Sequence, residues 1–267
     1  ADNVMIGNPK REEKDSNYEA IFHLNGTFYV VRESVSSFEK GRRKMKHSNS
    51  TESISFHAVI EELVIRGDDG DDYEVKEQCT CEMEFDGSSK GFEGAVGMEG
   101  TDGEIYILGL CESNYCSSSE WIQKGNGLLV LMKKSNTPLN GCMWETVKMI
   151  KIPMSAYFRD YSDIEIRPNG KTAITTREDS AVWIGQMQGI ENGVLDPDTV
   201  GFKEEGDYEM FYFPLSESCN PIYCNIEGIT FVNDDMFVAV SDKMKGGGKD
   251  NFWCMEKDQS IHAFLLP

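Results

Sequence analysis

Residues Asn225–Lys243 read NIEGITFVNDDMFVAVSDK. Ile226, Ile229 and Phe231 form a short apolar run. Asn233-Asp234-Asp235 supplies turn chemistry, and Met236 to Val240 is a second run rich in β-branched residues. Two such runs around a turn of Asn and Asp predict a β-hairpin. A carboxylate stands at each open end, Glu227 where the first run enters and Asp242 where the second leaves.

The same pattern occurs three more times upstream. The first copy starts at Tyr18-Glu19-Ala20-Ile21, turns at Asn25-Gly26 and ends at Glu33. The second starts at Phe92-Glu93-Gly94-Ala95, turns at Thr101-Asp102-Gly103 and ends at Glu112. The third starts at Tyr161-Ser162-Asp163-Ile164, turns at Asn169-Gly170 and ends at Glu178. The copies recur every ~65 to 75 residues, a period that marks repeat architectures. Between them lie further strand-like runs, including Ser53–Ile65, Tyr73–Phe85, GLLVLMKK, WETVKMIKIP, AVWIGQM and YEMFYFPL. No long amphipathic helix is evident.

Four strands per repeat, four repeats and no helices predict an all-β chain, a β-propeller of four blades with four antiparallel strands each. Five to seven blades follow instead if the long loops hide further strands. The fourth repeat carries only three strands, and Val4-Met5-Ile6 is an orphan run. Pairing that run with the C-terminal strand closes the ring and removes an exposed edge. The 267 residues read as one domain.

Bulk properties narrow the partners. There are 46 acidic and 26 basic residues, for a formal net charge of -20. Phosphates would be repelled, so nucleic acid is excluded as a ligand. A basic protein surface or a cation suits the charge better. No apolar run is long enough to span a bilayer. Eight cysteines occur, with local pairs Cys111/Cys116 and Cys219/Cys224. Paired spacing predicts disulfides and an extracellular or other oxidising compartment. The absence of a CxxC pair argues against structural zinc.

Blade geometry gives the repeated carboxylates a place. The start of a blade's innermost strand and the end of the next strand lie at the same mouth. Glu19, Glu93, Ser162 and Glu227 then line the axis, with Asp163 shifted by one residue. Glu33, Glu112, Glu178 and Asp242 form a second ring one step outward. So many like charges need a cation, Arg or Lys partners, or protonation. Oxygen ligands in that number suit calcium better than zinc or copper. The same geometry admits another role, in which each glutamate pairs with a neighbouring blade as a staple. Two basic loops, one with Arg42, Arg43 and Lys44 and one with Lys243 and Lys245, suit a small anionic ligand.

The segments GFEGAVGMEGTDGEIYILGLCE and NIEGITFVNDDMFVAVSD resemble repeats of propellers of the esterase-like-phytase and gluconolactonase type. They are also similar to uncharacterised propeller proteins of eukaryotic microbes. The resemblance implies a central divalent cation, with Glu93 and Glu227 as first ligands and Glu19 next. The other ligands of those families have no matching positions here. No nucleophile elbow is present, and the four histidines are scattered. The expectation is a non-enzymatic binding scaffold, the alternative a calcium-dependent hydrolase of phosphate esters or lactones.

Overall fold

The computed structural model describes residues 18–36, 55–66, 72–87, 90–117, 124–137, 141–203, 206–223, 225–242 and 259–266. The orphan run at Val4–Ile6, the basic residues Arg42, Arg43, Lys44, Lys243 and Lys245, and Cys224 lie outside these residues.

Within them the chain is all-β, as its alternating and β-branched runs require, with a single short 3-10 turn at Asn114–Cys116. The strands fall into four consecutive antiparallel units. Unit 1 is β1 (Tyr18–Leu24), β2 (Thr27–Ser36), β3 (Phe56–Arg66) and β4 (Asp72–Phe85). Unit 2 is β5 (Phe92–Gly100), β6 (Ile105–Cys111), β7 (Leu128–Thr137) and β8 (Gly141–Lys151).

Unit 3 contains β9 (Asp163–Ile166), β10 (Lys171–Thr176) and β11 (Ala181–Gln188). Its outer edge is β15 (Glu209–Tyr212), which pairs with the first half of β11, while β14 (Gly201–Phe202) pairs with the other end. Unit 4 is β16 (Ile226–Phe231), β17 (Met236–Ser241) and β18 (Ile261–Leu265). The predicted turns fall where their residues allow them. Asn25 and Gly26 both have positive φ, 50° and 79°, between paired Leu24 and Thr27, the geometry that favours Asn-Gly in two-residue hairpins.

The units stack face to face. β1 packs on β5, β5 on β9 and β9 on β16. Each junction has its own apolar core. Tyr29, Val31, Ile60, Phe92, Ile107 and Trp144 fill the space between units 1 and 2. Leu108, Leu110, Leu131, Ile164, Ile174 and Trp183 fill that between units 2 and 3. Val182, Ile184, Phe213, Ile226, Ile229 and Phe237 fill that between units 3 and 4.

Along β6, Ile107 therefore faces one junction and Leu108 the other. Adjacent side chains of a strand point to opposite faces, so a sheet covered on both sides needs apolar residues at every position. That is why GLLVLM and AVWIG read as continuous hydrophobic runs.

Two features were not visible in the sequence. β4 and β8, the outer strands of units 1 and 2, touch in parallel register at Thr80↔Met143 and Cys81↔Trp144, joining both units into one continuous sheet. The Cys79–Cys142 disulfide, with Cα atoms 5.1 Å apart, fastens the same seam. Lys134 of β7 reaches across it to Glu62 and Glu77 at 2.5 and 2.6 Å. The stretch between the AVWIGQM and YEMFYFPL runs folds a small hairpin, β12 (Ile190–Glu191) and β13 (Val194–Leu195). β13 adds in parallel to β5 at Glu99 and Gly100.

Of the local cysteine pairs, Cys111–Cys116 is bonded; the partner proposed for Cys219 is outside the described residues. No helix among the described residues is long and apolar enough to cross a membrane.

Candidate functional site

The predicted glutamates sit at irregularities of the inner strands. In β1 the register shifts between Tyr18 and Ala20, in β5 between Phe92 and Gly94, and in β16 between Ile226 and Gly228. The residues skipped are Glu19, Glu93 and Glu227. A bulge places one residue outside the ladder and re-aims its side chain. The repeated Glu is thus the bulged residue in three units. β9 starts one residue later, and Asp163 pairs normally with Thr175. Ser162 is buried, and its hydroxyl lies 3.0 Å from that of Thr175.

The register also relates the carboxylates at the ends of the second strands. Ala20, Gly94 and Gly228 pair with Val31, Leu110 and Val240, and the residue two further on is Glu33, Glu112 and Asp242. In unit 3 Asp163 pairs with Thr175, so the equivalent residue is Arg177. Glu178, the residue expected there, is displaced by one position. Its carboxylate lies 3.7 Å from Arg159, and its backbone N–H donates to Asp160. A signal for Arg177 was present in the sequence. Glu33 is seven residues past Gly26 of one Asn-Gly turn, and Arg177 is seven past Gly170 of the other.

Arg177 gathers three carboxylates. Its Nη2 donates to Glu112 at 2.9 Å, its Nη1 to Glu227 at 3.1 Å and its Nε to Asp160 at 3.1 Å. Glu112 directly follows β6 of unit 2, Glu227 is at the start of unit 4, and Asp160 lies just ahead of β9. One guanidinium thus ties three units together. Burial works against its charge, but Glu227, Asp160, Glu93 and Glu112 overcome this, so its pKa is raised. Asp160 is only 2% exposed and also accepts from Thr176 Oγ1 at 2.6 Å. Lys90 meets the other oxygen of Glu112 at 2.6 Å.

Four carboxyls of this region, Glu93, Glu227, Glu165 and Asp163, hold their protons more tightly than usual. Burial pushes Glu93 well above the ordinary range, and the charges of Glu112, Glu19 and Glu33 add to this, while Arg177 opposes it. Burial raises Glu227 as well, against Arg177. Glu165, which points from the same strand as Asp163, is pushed up to about 7 by burial.

Asp163 is pushed up to about 8, also by burial, although the N–H groups of Ile229 and Ile164 stabilise its charge. Its Oδ2 accepts the N–H of Ile229 at 2.8 Å. A Cβ on Gly94 would stand 2.7 Å from its Oδ1 and 2.9 Å from its Cα. Asp163 is therefore wedged between the inner strands of units 2 and 4, and the glycine of the Glu-Gly pair in unit 2 makes room for it.

A single ion would need several of these oxygens at ~2.3–2.6 Å. Among the described residues, no three ring carboxylates bring oxygens within 4.8 Å of one another. The group that meets this distance is Glu77, Cys79 and Cys142, and its two cysteines are bonded to each other. Arg177 fills the space between three of these carboxylates, those of Asp160, Glu112 and Glu227.

No family model matches the sequence, and no curated protein matches it. Among solved structures the chain is similar to Sqt1 from Chaetomium thermophilum, at 12% identity and a TM-score of 0.36, over 86% of this chain and 43% of that one. The chain thus spans less than half the length of that protein.

Proposed function

We propose that this chain is a non-enzymatic binding scaffold of β-propeller type. Four blades surround an acidic mouth that docks a partner protein through basic groups, in an extracellular or other oxidising compartment. The observation that carries the reading is the Arg177 cluster. A guanidinium bound by carboxylates of three units holds the mouth together, and the acidic side chains beyond it present negative charge outward. Such a field attracts basic partners and raises their rate of encounter.

Propeller folds host many unrelated functions, so the site and not the fold carries the argument.

The test is fluorescence anisotropy with a labelled Lys/Arg-rich peptide and its Glu-rich counterpart, across a salt series. The basic peptide is expected to saturate, with affinity falling as salt rises, and the acidic one to stay free. Parallel assays on phosphomonoesters and lactones with calcium are expected to show no turnover. Turnover that a chelator abolishes would overturn the scaffold reading in favour of the hydrolase.

A further inference from the structure

We propose that two copies of this chain join head to tail. The open face of unit 4 in one copy seats on the open face of unit 1 in the other, and the two arcs close one ring of eight units with a shared mouth. This goes beyond the scaffold reading above and stands on different residues.

The strand register gives each unit a forward face, toward the next unit, and a backward face. Tyr29 and Val31 of unit 1, Leu108 and Leu110 of unit 2 and Ala173 of unit 3 point forward, each into the core shared with the following unit. Gly228 pairs with Val240 as Gly94 pairs with Leu110, so Val238 and Val240 are the forward residues of unit 4. Their partners on β18 are Ala263 and Ile261, where unit 2 has Leu131 and Leu129. Those two leucines are inaccessible, whereas Ile261 is 74% exposed.

Ala95 and Ile107 of unit 2, Ile164 and Ile174 of unit 3, and Ile229 and Phe237 of unit 4 point backward, into the core shared with the preceding unit. The corresponding residues of unit 1 are Ile21, Phe28 and Val30. Ile21 is 53% exposed, and Ile65 and Val75, further out on this face, are 47% exposed each. Glu61, paired with Val30, is already met by Tyr18 and Arg32. An antiparallel sheet with one face in water alternates apolar and polar residues. These two end faces instead keep the apolar character of the sealed ones, which marks them as contact surfaces.

The occupant follows from the junctions already formed. A forward face in this chain meets a backward face, and the two left over are one of each. Among the described residues they do not meet within the chain, because β1 and β16 do not pack on each other as β1 does on β5, β5 on β9 and β9 on β16. The matching face is that of a second copy. A head-to-tail contact either closes or grows into a filament. Two copies of four units make eight, the upper end of the usual range of blades. Closure makes the junction twice. A stable pair buries roughly 1,600 Å² in all, so each junction need supply only about half.

The experiment is sedimentation equilibrium of the full chain over a concentration series, at low and high salt, on the wild type, Ile21→Lys, Ile261→Lys and Met149→Lys. The wild type is expected to reach twice the mass of one chain and no more. Each copy carries a formal charge of -20, so salt should strengthen the pairing. Ile21→Lys and Ile261→Lys each place a charge in the apolar contact. Each should raise the concentration needed for half-assembly by about tenfold or more. Met149→Lys, on an exposed position of β8 outside both faces, should leave it unchanged. A mixture of Ile21→Lys and Ile261→Lys should recover pairing through the one junction whose two faces are both intact. These substitutions act between copies, so thermal melts of the dilute single chains are expected to match the wild type.

A single-chain mass for the wild type at every concentration would overturn the proposal, and is the result expected if another segment covers these faces. Pairing that survives Ile21→Lys would overturn it by placing unit 4 on unit 4. A mixture that stays at single-chain mass, or masses that grow past two copies, would overturn it as well. The basic-peptide titration is read separately: its failure would sink the scaffold reading and leave the pairing standing.

Discussion

Units 2 and 4 begin with the same Glu-Gly bulge and hairpin, yet they are buried very differently. Unit 2 is covered on both faces, and residues 128–132 of β7 are all nearly inaccessible. Among the described residues, unit 4 is covered on one. Its inward residues Phe237, Ala239 and Phe264 join the core shared with unit 3. On the other face Val240, Ile261 and Leu265 are 38%, 74% and 78% exposed, although they are as apolar as their counterparts. The difference lies in the neighbours a strand is given, not in its pattern. An apolar strand buries only as much surface as another sheet covers.

The strongest way to break the comparison is to cut the guanidinium link that fastens unit 4 to the middle of the molecule. Arg177→Leu leaves Asp160, Glu112 and Glu227 facing one another without their cation. Removing one partner from an enclosed charge network costs on the order of 3–5 kcal/mol. Chemical denaturation is expected to show a loss of this size, and Arg177→Lys should recover only part of it, since an ammonium cannot span three carboxylates.

Next comes the doubly covered core. Leu131, fully buried between units 2 and 3, is expected to cost about 3 kcal/mol as Leu131→Ala. The seam between units 1 and 2 follows. Loss of the Cys79–Cys142 bond in Cys142→Ser is expected to cost about 2–4 kcal/mol. The same variant should blunt the effect of reductant on the melting temperature.

A smaller effect comes from pH. Asp163, Glu165, Glu93 and Glu227 all bind their protons more tightly in the folded chain than their ordinary values would allow. The unfolded chain therefore ionises first as pH rises from about 4, and folded stability falls over the window up to about 8, where Asp163 titrates. Differential scanning calorimetry between about pH 5.5 and 8.5 is expected to show a drop on the order of a few degrees. Asp163→Asn, which keeps an oxygen for the Ile229 N–H, should flatten that slope. The smallest effect is expected at the open face of unit 4, where Leu265→Ala should change stability by less than about 0.5 kcal/mol. A loss as large as that of Leu131→Ala would show that unit 4 is covered after all.

The strands, their turns and their grouping by four were legible from residue order, because alternation, β-branching and Asn-Gly turns act over a few residues. The four hairpins fall where those signals put them. The acidic ends of the hairpins were legible too, as a repeated pattern. The role of Arg177 in unit 3 was not read, because Arg177 and Glu178 are neighbours in sequence and a one-residue difference in register decides which of them meets Glu112 and Glu227.

The β12–β13 hairpin was missed for a related reason. Its strands are two residues each and gain their place by adding to β5. The cross-sheet disulfide joins residues 63 positions apart and leaves no local trace.

By itself, then, the residue order determined an all-β chain of repeated hairpins with carboxylates at corresponding places, since local backbone preference and side-chain alternation suffice for that. Only the tertiary structure decided which of those carboxylates share a guanidinium, which strands are sealed on both faces and where a bulge takes a glutamate out of the strand ladder. Those outcomes depend on long-range register and on the surface each sheet meets.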